Sequence, residues 1–206
     1  MQTIVLASRS PRRKQLLRQV GVPFKAVAPR IVEQTEGAEA EQLVRQNALA
    51  KAIDVIEAAA AAAGTAAVRA PTANGQKPWV LGVDTLVELE GRALGKPHSA
   101  REAEQMLTSL SGRIHRVVSG IALLTDPGHA PDVRACCTEV RFRTLSGADL
   151  EYYLDSGEWS GVAGGYRIQG RGAFLIEWIR GSYSNVVGLP LETFYAMLRA
   201  GGYDFC

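Results

Sequence analysis

Cysteine and histidine are scarce in this chain, with three of each in 206 residues, and none is spaced like a metal ligand. Cys136 and Cys137 are adjacent in a strand-like run, and Cys206 stands alone. That pattern excludes a zinc ribbon, a redox dithiol and a disulfide scaffold, and leaves the cysteines as packing residues. His98, His115 and His129 are scattered. Each reads as structural or surface, although His115, at an apparent strand start, is also placed to touch a ligand. An excess of one charge is missing too: 23 basic against 21 acidic residues leave +2. There is no basic stripe interleaved with aromatics, so a nucleic acid polymer or an acidic membrane surface is not the expected partner. No apolar run approaches a membrane span. The first residues lack a signal-peptide pattern, since a short apolar run leads straight into an arginine-rich segment. With the odd cysteine count, this sets the cytoplasm as the expected compartment. Neither a GxGxxG fingerprint nor a P-loop lysine-serine pair occurs, and there are no internal repeats.

What is present is a mixture of strands and helices, so the fold class is α/β or α+β, in a length that suits one large domain or two small lobes. Residues 3–7 read as a strand and 11–20 as a helix, with Ser10 as N-cap and Pro11 at the first helical position. A second short strand follows over 24–28. Residues 38–63 are helical, with Leu43, Val44, Ala48, Leu49, Ala52, Ile53 and Ile56 at helical spacing. Residues 64–78 are a surface loop or a local insertion, of a composition open to disorder. Residues 79–83 form a compact apolar strand with Asp84-Thr85 at its end, and short runs over 86–89 and 92–94 flank Glu90-Gly91, a hairpin-like turn. Ser99 and Glu102 form a capping box for a helix ending at Leu110. Long strands over 114–124 and 133–143 are joined through 126–132. Ser146, with Asp149, caps another helix over 148–154. After the glycine-rich stretch 157–172, a strand covers 173–179 and a last helix 189–199.

The chemistry gathers at a few points. Ser8, Ser10, Arg12 and Arg13 stand at the start of the first helix, where unpaired N–H groups and the dipole attract anions. Two arginine forks there suit phosphate, although a capped helix with surface arginines is also common. Asp84, read as the C-terminal end of a buried strand, lies where ligand sites of open α/β sheets collect. Such a carboxylate can hold Mg²⁺ or deprotonate a water, or simply cap a turn. Glu33 could add a second carboxylate to a metal site for a polyphosphate. Lys51 and Lys96 could pair with phosphate oxygens or be ordinary solvated lysines. Gln169, in the glycine-rich loop 163–172, carries the donor and acceptor needed to read a base edge. Residues 182–185 form a polar turn.

Together these segments resemble the Maf family of nucleoside triphosphate pyrophosphatases. The matching stretches are LASRSPRR at 6–13, LGVDTLV at 81–87, LGKP at 94–97, LSGRIHRVVSG at 110–120, FRTLS at 142–146 and GYRIQGRGAFLIEWIRGSYSNVVGLPL at 165–191. Residues 58–78 lie outside the match. The resemblance implies a single Maf-like domain over 1–206, with two lobes and a central cleft around a mixed twisted sheet, similar to the inosine-triphosphate pyrophosphatase fold. It implies hydrolysis of a nucleoside triphosphate to the monophosphate and diphosphate, dependent on a divalent metal cation, Mg²⁺ or Mn²⁺. Homodimerisation is a further expectation of this kind. The family's site residues correspond to Ser8, Arg12, Arg13, Glu33, Lys51, Asp84, Lys96 and Gln169, with Asp84 in the place of the proton acceptor and Glu33 beside it at the metal. Arg12, Thr85 and Gln169 fall at the selectivity positions of the branch that handles dTTP and UTP. The branch handling 7-methyl-GTP has Ser-Asp-Gln where this chain has Val83-Asp84-Thr85, which favours pyrimidines. The chain departs from the family in having Gly161-Val162 in place of Asp-Lys, Val32 in place of an aspartate beside Glu33, and Val83 in place of an alanine. The alternatives are 7-methyl-GTP hydrolysis and a nucleotide-binding regulator of septum formation.

Overall fold

The computed structural model describes residues 1–62, 79–125 and 129–205. The expected loop over 64–78 and part of the connection over 126–132 lie outside the described residues. The class is the expected mixed α/β. One sheet runs through the molecule in the order β2-β1-β3-β5-β6-β7, with β4 paired to β3. Its strands are β1 (Ile4–Ala7), β2 (Phe24–Val27), β3 (Trp79–Leu89), β4 (Arg92–Leu94), β5 (Ile114–Leu124), β6 (Asp132–Phe142) and β7 (Ile176–Arg180). The helices are α1 (Pro11–Gln19), α2 (Ala40–Ala62), α3 (Ala100–Leu110), α4 (Gly147–Leu154), α5 (Tyr183–Val187) and α6 (Leu191–Ala200).

β1 and β2 run parallel to β3, and everything from β3 onward is antiparallel. The edge of β3 that faces β1 is only partly covered. β1 pairs with Trp79 through Gly82, and β4 pairs with Val87 through Leu89. Among the described residues no strand lies beside residues 83–86 on that edge, while β5 pairs continuously along the other. An uncovered strand edge leaves backbone groups to be satisfied by something else. The cavity described below opens at this gap.

β3 is therefore one strand of 11 residues, not a strand ending at Val83 followed by a second. Asp84 and Thr85 interrupt the apolar run without ending the strand, because β5 holds them in register opposite Gly120 and Ser119. Asp84 is correspondingly mid-strand. It lies two residues beyond the last β1 pairing, which is why it still faces open space.

Successive side chains of β3 point to opposite faces. α2 lies on the face shared by Val80, Gly82, Asp84 and Leu86. Val80 packs with Ala52 and Val55, and Leu86 with Leu43 and Val44. The buried stripe of α2 is rotated from the expected one: Val55, Asn47 and Lys51 are buried, while Ile53 is exposed. The opposite face carries Leu81 and Val83 against Leu16, Leu17, Phe194 and Met197. Beyond them Val87 and Leu89 pack with Leu107, Phe142 and Tyr153.

Ser10, Ser99 and Ser146 cap α1, α3 and α4 as expected, each accepting from the third residue on, but the expected capping box of α3 does not close, because the Glu102 carboxylate accepts the N–H of His98, at 2.8 Å, instead of that of Ser99. Three elements differ. Residues 182–185 form the cap and first turn of the short α5, whose Asn185 is fully buried and donates to Val117 O and Thr138 Oγ1, both at 3.0 Å. β7 begins at Ile176, because 170–175 coil into a 3₁₀ segment first. Pro190 is the N-cap of α6 rather than lying within it. His115 is buried, and its Nε2 is 2.6 Å from Tyr166 Oη, inside a cluster with Phe142. Burial pushes its pKa down to about 4. It is a neutral core residue that supports the glycine-rich loop.

Candidate active site

A cavity of about 540 Å³ opens at the gap in β3, a size suited to a small-molecule ligand. It is lined by the end of β1, the start of α1, Glu33, Lys51, Asp84, Thr85, Lys96 and part of the glycine-rich loop. Six basic side chains line it (Arg9, Arg12, Arg13, Lys51, Lys96 and Arg167), against two acidic ones, Glu33 and Asp84. An excess of cations in one concave site favours an anion.

Asp84 is buried, and α2 fixes it. Lys51 Nζ lies 2.6 Å from Asp84 Oδ1, and Asn47 Nδ2 donates to Oδ2 at 2.8 Å. Asn47 and Lys51 are four residues apart and so share one helix face. Asn47 is itself held by the backbone of Gln34, accepting its N–H at 2.9 Å and donating to its C=O at 2.8 Å. That pairing fixes which end of the amide faces Asp84. Asn47 is a site residue absent from the sequence reading. The available signal was a polar pair, Asn47 and Lys51, inside the apolar stripe of α2.

Lys51 bridges the two carboxylates, because Glu33 Oε1 is 2.7 Å from its ammonium. Lys96 takes the other Glu33 oxygen at 2.8 Å. Lys51 is 4% exposed, and a buried ammonium is stable only with such partners. Burial opposes the ionisation of Glu33, but Lys51 and Lys96 outweigh it and hold the carboxyl at about 2 instead of 4.5. The ionised form is thus favoured by folding. Its contribution to stability is complete above pH 4.5 and is lost as pH falls toward 2. The stability advantage of wild type over Glu33→Gln, read from denaturant unfolding, is expected to shrink across that interval. A gap that stays constant from neutral pH to pH 2 would show that this ionisation is not linked to folding.

The two adjacent arginines have different surroundings. Arg13 is buried and spends its donors on the protein. Nε donates to Gly188 O at 2.7 Å, Nη1 to Val83 O at 3.0 Å and to Ser8 Oγ at 3.2 Å, and Nη2 to Thr85 Oγ1 at 3.0 Å. It ties α1 to the uncovered edge of β3 and to the turn after α5. Ser8 and Thr85 line the cavity but serve the same strut, and Thr85 also lies 2.9 Å from Ser119 Oγ. Arg12 makes no hydrogen bond or ion pair among the described residues, and it lines the cavity. Burial, and then the charge of Arg167, lower its pKa, yet a guanidinium remains cationic. The structure therefore brings Ser8, Arg12, Arg13, Glu33, Lys51, Asp84, Thr85 and Lys96 to one cavity. Gln169 is half-buried at the start of the 3₁₀ segment and is not one of the lining residues.

Among the described residues no cluster of three or more His, Cys, Asp or Glu side chains could hold a metal. Glu33 and Asp84 remain as a two-carboxylate donor set joined by Lys51. Each carboxylate oxygen has more than one lone pair, so one protein contact per oxygen leaves capacity. A hard divalent cation is commonly held by one or two carboxylates together with substrate phosphates and water. The pair fits that pattern, and does not form a complete protein cage.

A family model described as "Maf-like protein" matches residues 3–201. Curated relatives named "dTTP/UTP pyrophosphatase" occur in Symbiobacterium thermophilum, at 45% identity over 98% of this chain and 96% of the relative. Others are from Myxococcus xanthus, at 43% over 97% and 92%, and from Moorella thermoacetica, at 42% over 99% and 97%. The solved structure of the Staphylococcus aureus Ham1 protein aligns over 68% of this chain and 72% of its own, with TM-score 0.39 and 18% identity, too distant to bear on the site.

Proposed function

The chain belongs to the Maf family, and from that premise we propose that its cleft hydrolyses dTTP and UTP to the monophosphate and diphosphate. The observation that carries this reading is the meeting, in one cation-rich cavity, of a buried, lysine-bridged carboxylate and Arg12, which has no partner among the described residues. Asp84 would accept a proton from the attacking water, a role supported by its lining the cavity at the stretch of β3 that no described strand covers. Lys51 and Asn47 hold it in one orientation. Lys96 and Arg12 supply cationic contacts to phosphate oxygens, an electrostatic contribution that strengthens as charge moves in the transition state. Arg13 contributes by shaping the wall. Glu33 and Asp84 would hold a divalent cation, Mg²⁺ or Mn²⁺, which would neutralise phosphate charge when bound.

On this reading the protein is a housecleaning enzyme of the cytoplasm. Among the described residues no helix is long and apolar enough to cross a membrane. A septum regulator that only bound nucleotide would need the cations but not a carboxylate pinned at the strand gap.

Diphosphate release from dTTP, UTP, CTP and 7-methyl-GTP, with and without Mg²⁺, tests the proposal. The expected order is dTTP and UTP first, CTP below them and 7-methyl-GTP last, with activity lost on chelation. A preference for 7-methyl-GTP, or no diphosphate from any of the four, would overturn it.

A further inference from the structure

Arg167 has no role in the site as derived above, and its placement calls for one. It lies in the glycine-rich loop after α4, on the face of the sheet opposite α2, where Gly164 sits against the side chain of Val87. Asp84 and its partners Lys51 and Asn47 lie on the α2 side. Both Asp84 and Arg167 nevertheless line the same cavity, so the cavity passes through the gap in β3 from one face to the other.

Two contacts orient Arg167. Its backbone N–H donates to Tyr153 Oη at 3.3 Å, and its Nη2 lies 3.3 Å from Glu158 Oε1. Glu158 also accepts the N–H of Gly172 at 3.3 Å, so it is anchored to the loop it braces. Arg167 Nε is buried and has no partner among the described residues. Arg12 lines the same cavity, close enough for the two charges to act on each other, and its side chain has no partner among the described residues. Two guanidiniums repel each other, and one unspent buried donor costs free energy. A bound anion between them would relieve both.

Phosphoryl transfer supplies the anion and its position. The attacking and leaving oxygens lie roughly in line across the phosphorus. With the water on the Asp84 side, the leaving group departs toward the opposite end of the cavity. Of the lining cations, Lys51 and Lys96 pair with the Asp84 and Glu33 end, Arg13 is spent on the wall and Arg9 reaches the Pro29 carbonyl, which leaves Arg12 and, on the far face of the sheet, Arg167 for the opposite end. We propose that Arg167 is a substrate-binding residue, pairing with Arg12 to hold the oxygens of the leaving diphosphate. This rests on the hydrolytic reading above and adds to it the residue that receives the product.

Inorganic pyrophosphate is the probe, used both as an inhibitor of dTTP turnover and as a ligand in calorimetry with the full chain. Arg167→Ala is expected to weaken pyrophosphate binding about 10- to 100-fold, the scale of one lost charge-assisted contact. Inhibition by thymidine monophosphate should stay unchanged, and Arg167→Lys should recover part of the loss. Glu158→Gln separates binding from bracing. It removes the anionic competitor for Arg167, so pyrophosphate should bind at least as well as to wild type. If Arg167→Ala binds pyrophosphate like wild type, or if Glu158→Gln weakens it as much as Arg167→Ala does, the inference fails. A wild type that turns over dTTP but does not bind pyrophosphate also overturns it. A wild type that releases no diphosphate from dTTP is instead a failure of the hydrolytic reading, and the calorimetry still reports on the anion site.

Discussion

Asp84→Asn is expected to lower kcat for dTTP by roughly 100-fold or more, the scale of a lost proton acceptor, in a protein that still folds. The two side chains are nearly the same size, so packing beneath α2 is unchanged. Asp84 now accepts from two donors on two oxygens, Lys51 on one and Asn47 on the other. Asparagine has one acceptor oxygen. Asn47 cannot turn to compensate, because the backbone of Gln34 holds both ends of its amide. One donor is therefore left facing an NH₂ group. The cost is limited, since Lys51 keeps Glu33 at 2.7 Å and Val83 O at 3.3 Å. Leaving a buried charge without any partner costs about 3–5 kcal/mol, whereas a partly compensated one costs less. That is small enough for a domain with about 5–15 kcal/mol of stability. Diphosphate release and thermal unfolding, measured on the same preparation, check both halves. Near-normal turnover in the folded variant would remove Asp84 from the chemistry.

How far the sequence could be read divides along the range of the interactions. Cap residues act within one turn, and Ser10, Ser99 and Ser146 were legible from spacing alone. So was the Glu90-Gly91 turn, where both residues adopt positive φ. The extent of β3 was not legible. Asp84-Thr85 looks like a strand end because polar pairs usually mark one, and only the register with β5 carries the strand past them. The two arginines show the same limit. In sequence, Arg12 and Arg13 are equal candidates for phosphate. One helical step of about 100° turns Arg13 into the protein, toward carbonyls 70 and 175 residues away, and leaves Arg12 facing the cavity. The stripe of α2 misled for a related reason. Counting only apolar residues passes over Asn47 and Lys51, although they lie at the centre of the buried face, where they meet Asp84. Polar residues within an apolar stripe are the signal for such a site, and here they were the residues that mattered.

Gly120→Ala is expected to damage stability and catalysis together, through the seating of α2. Gly120 stands directly opposite Asp84 in the β3–β5 ladder. A Cβ there would lie 2.7 Å from Arg45 N and closer still to the carbonyl of Val44. Gly82, on the neighbouring strand, meets Ala48 in the same way. The helix rests on these two glycines, backbone against sheet. No rotamer can relieve a clash between a Cβ and a backbone carbonyl, so α2 must shift by on the order of 1 Å to reach ordinary contact distance. Overpacking of this kind costs about 3 kcal/mol or more when nothing flexible can give, and for a domain of this length that lowers Tm by roughly 6–12 °C. The same shift draws Lys51 and Asn47 away from Asp84, whose contacts at 2.6 and 2.8 Å do not survive it. A misplacement near 1 Å in such a site lowers turnover by about 100-fold. Gly147→Ala is the control, because its Cβ would meet nothing within 4 Å and it opens α4. Its Tm and kcat should stay close to wild type. A Gly120→Ala protein with wild-type Tm would mean that α2 does not sit on the sheet at this glycine. One with a lowered Tm but unchanged kcat would mean that the helix does not hold Asp84.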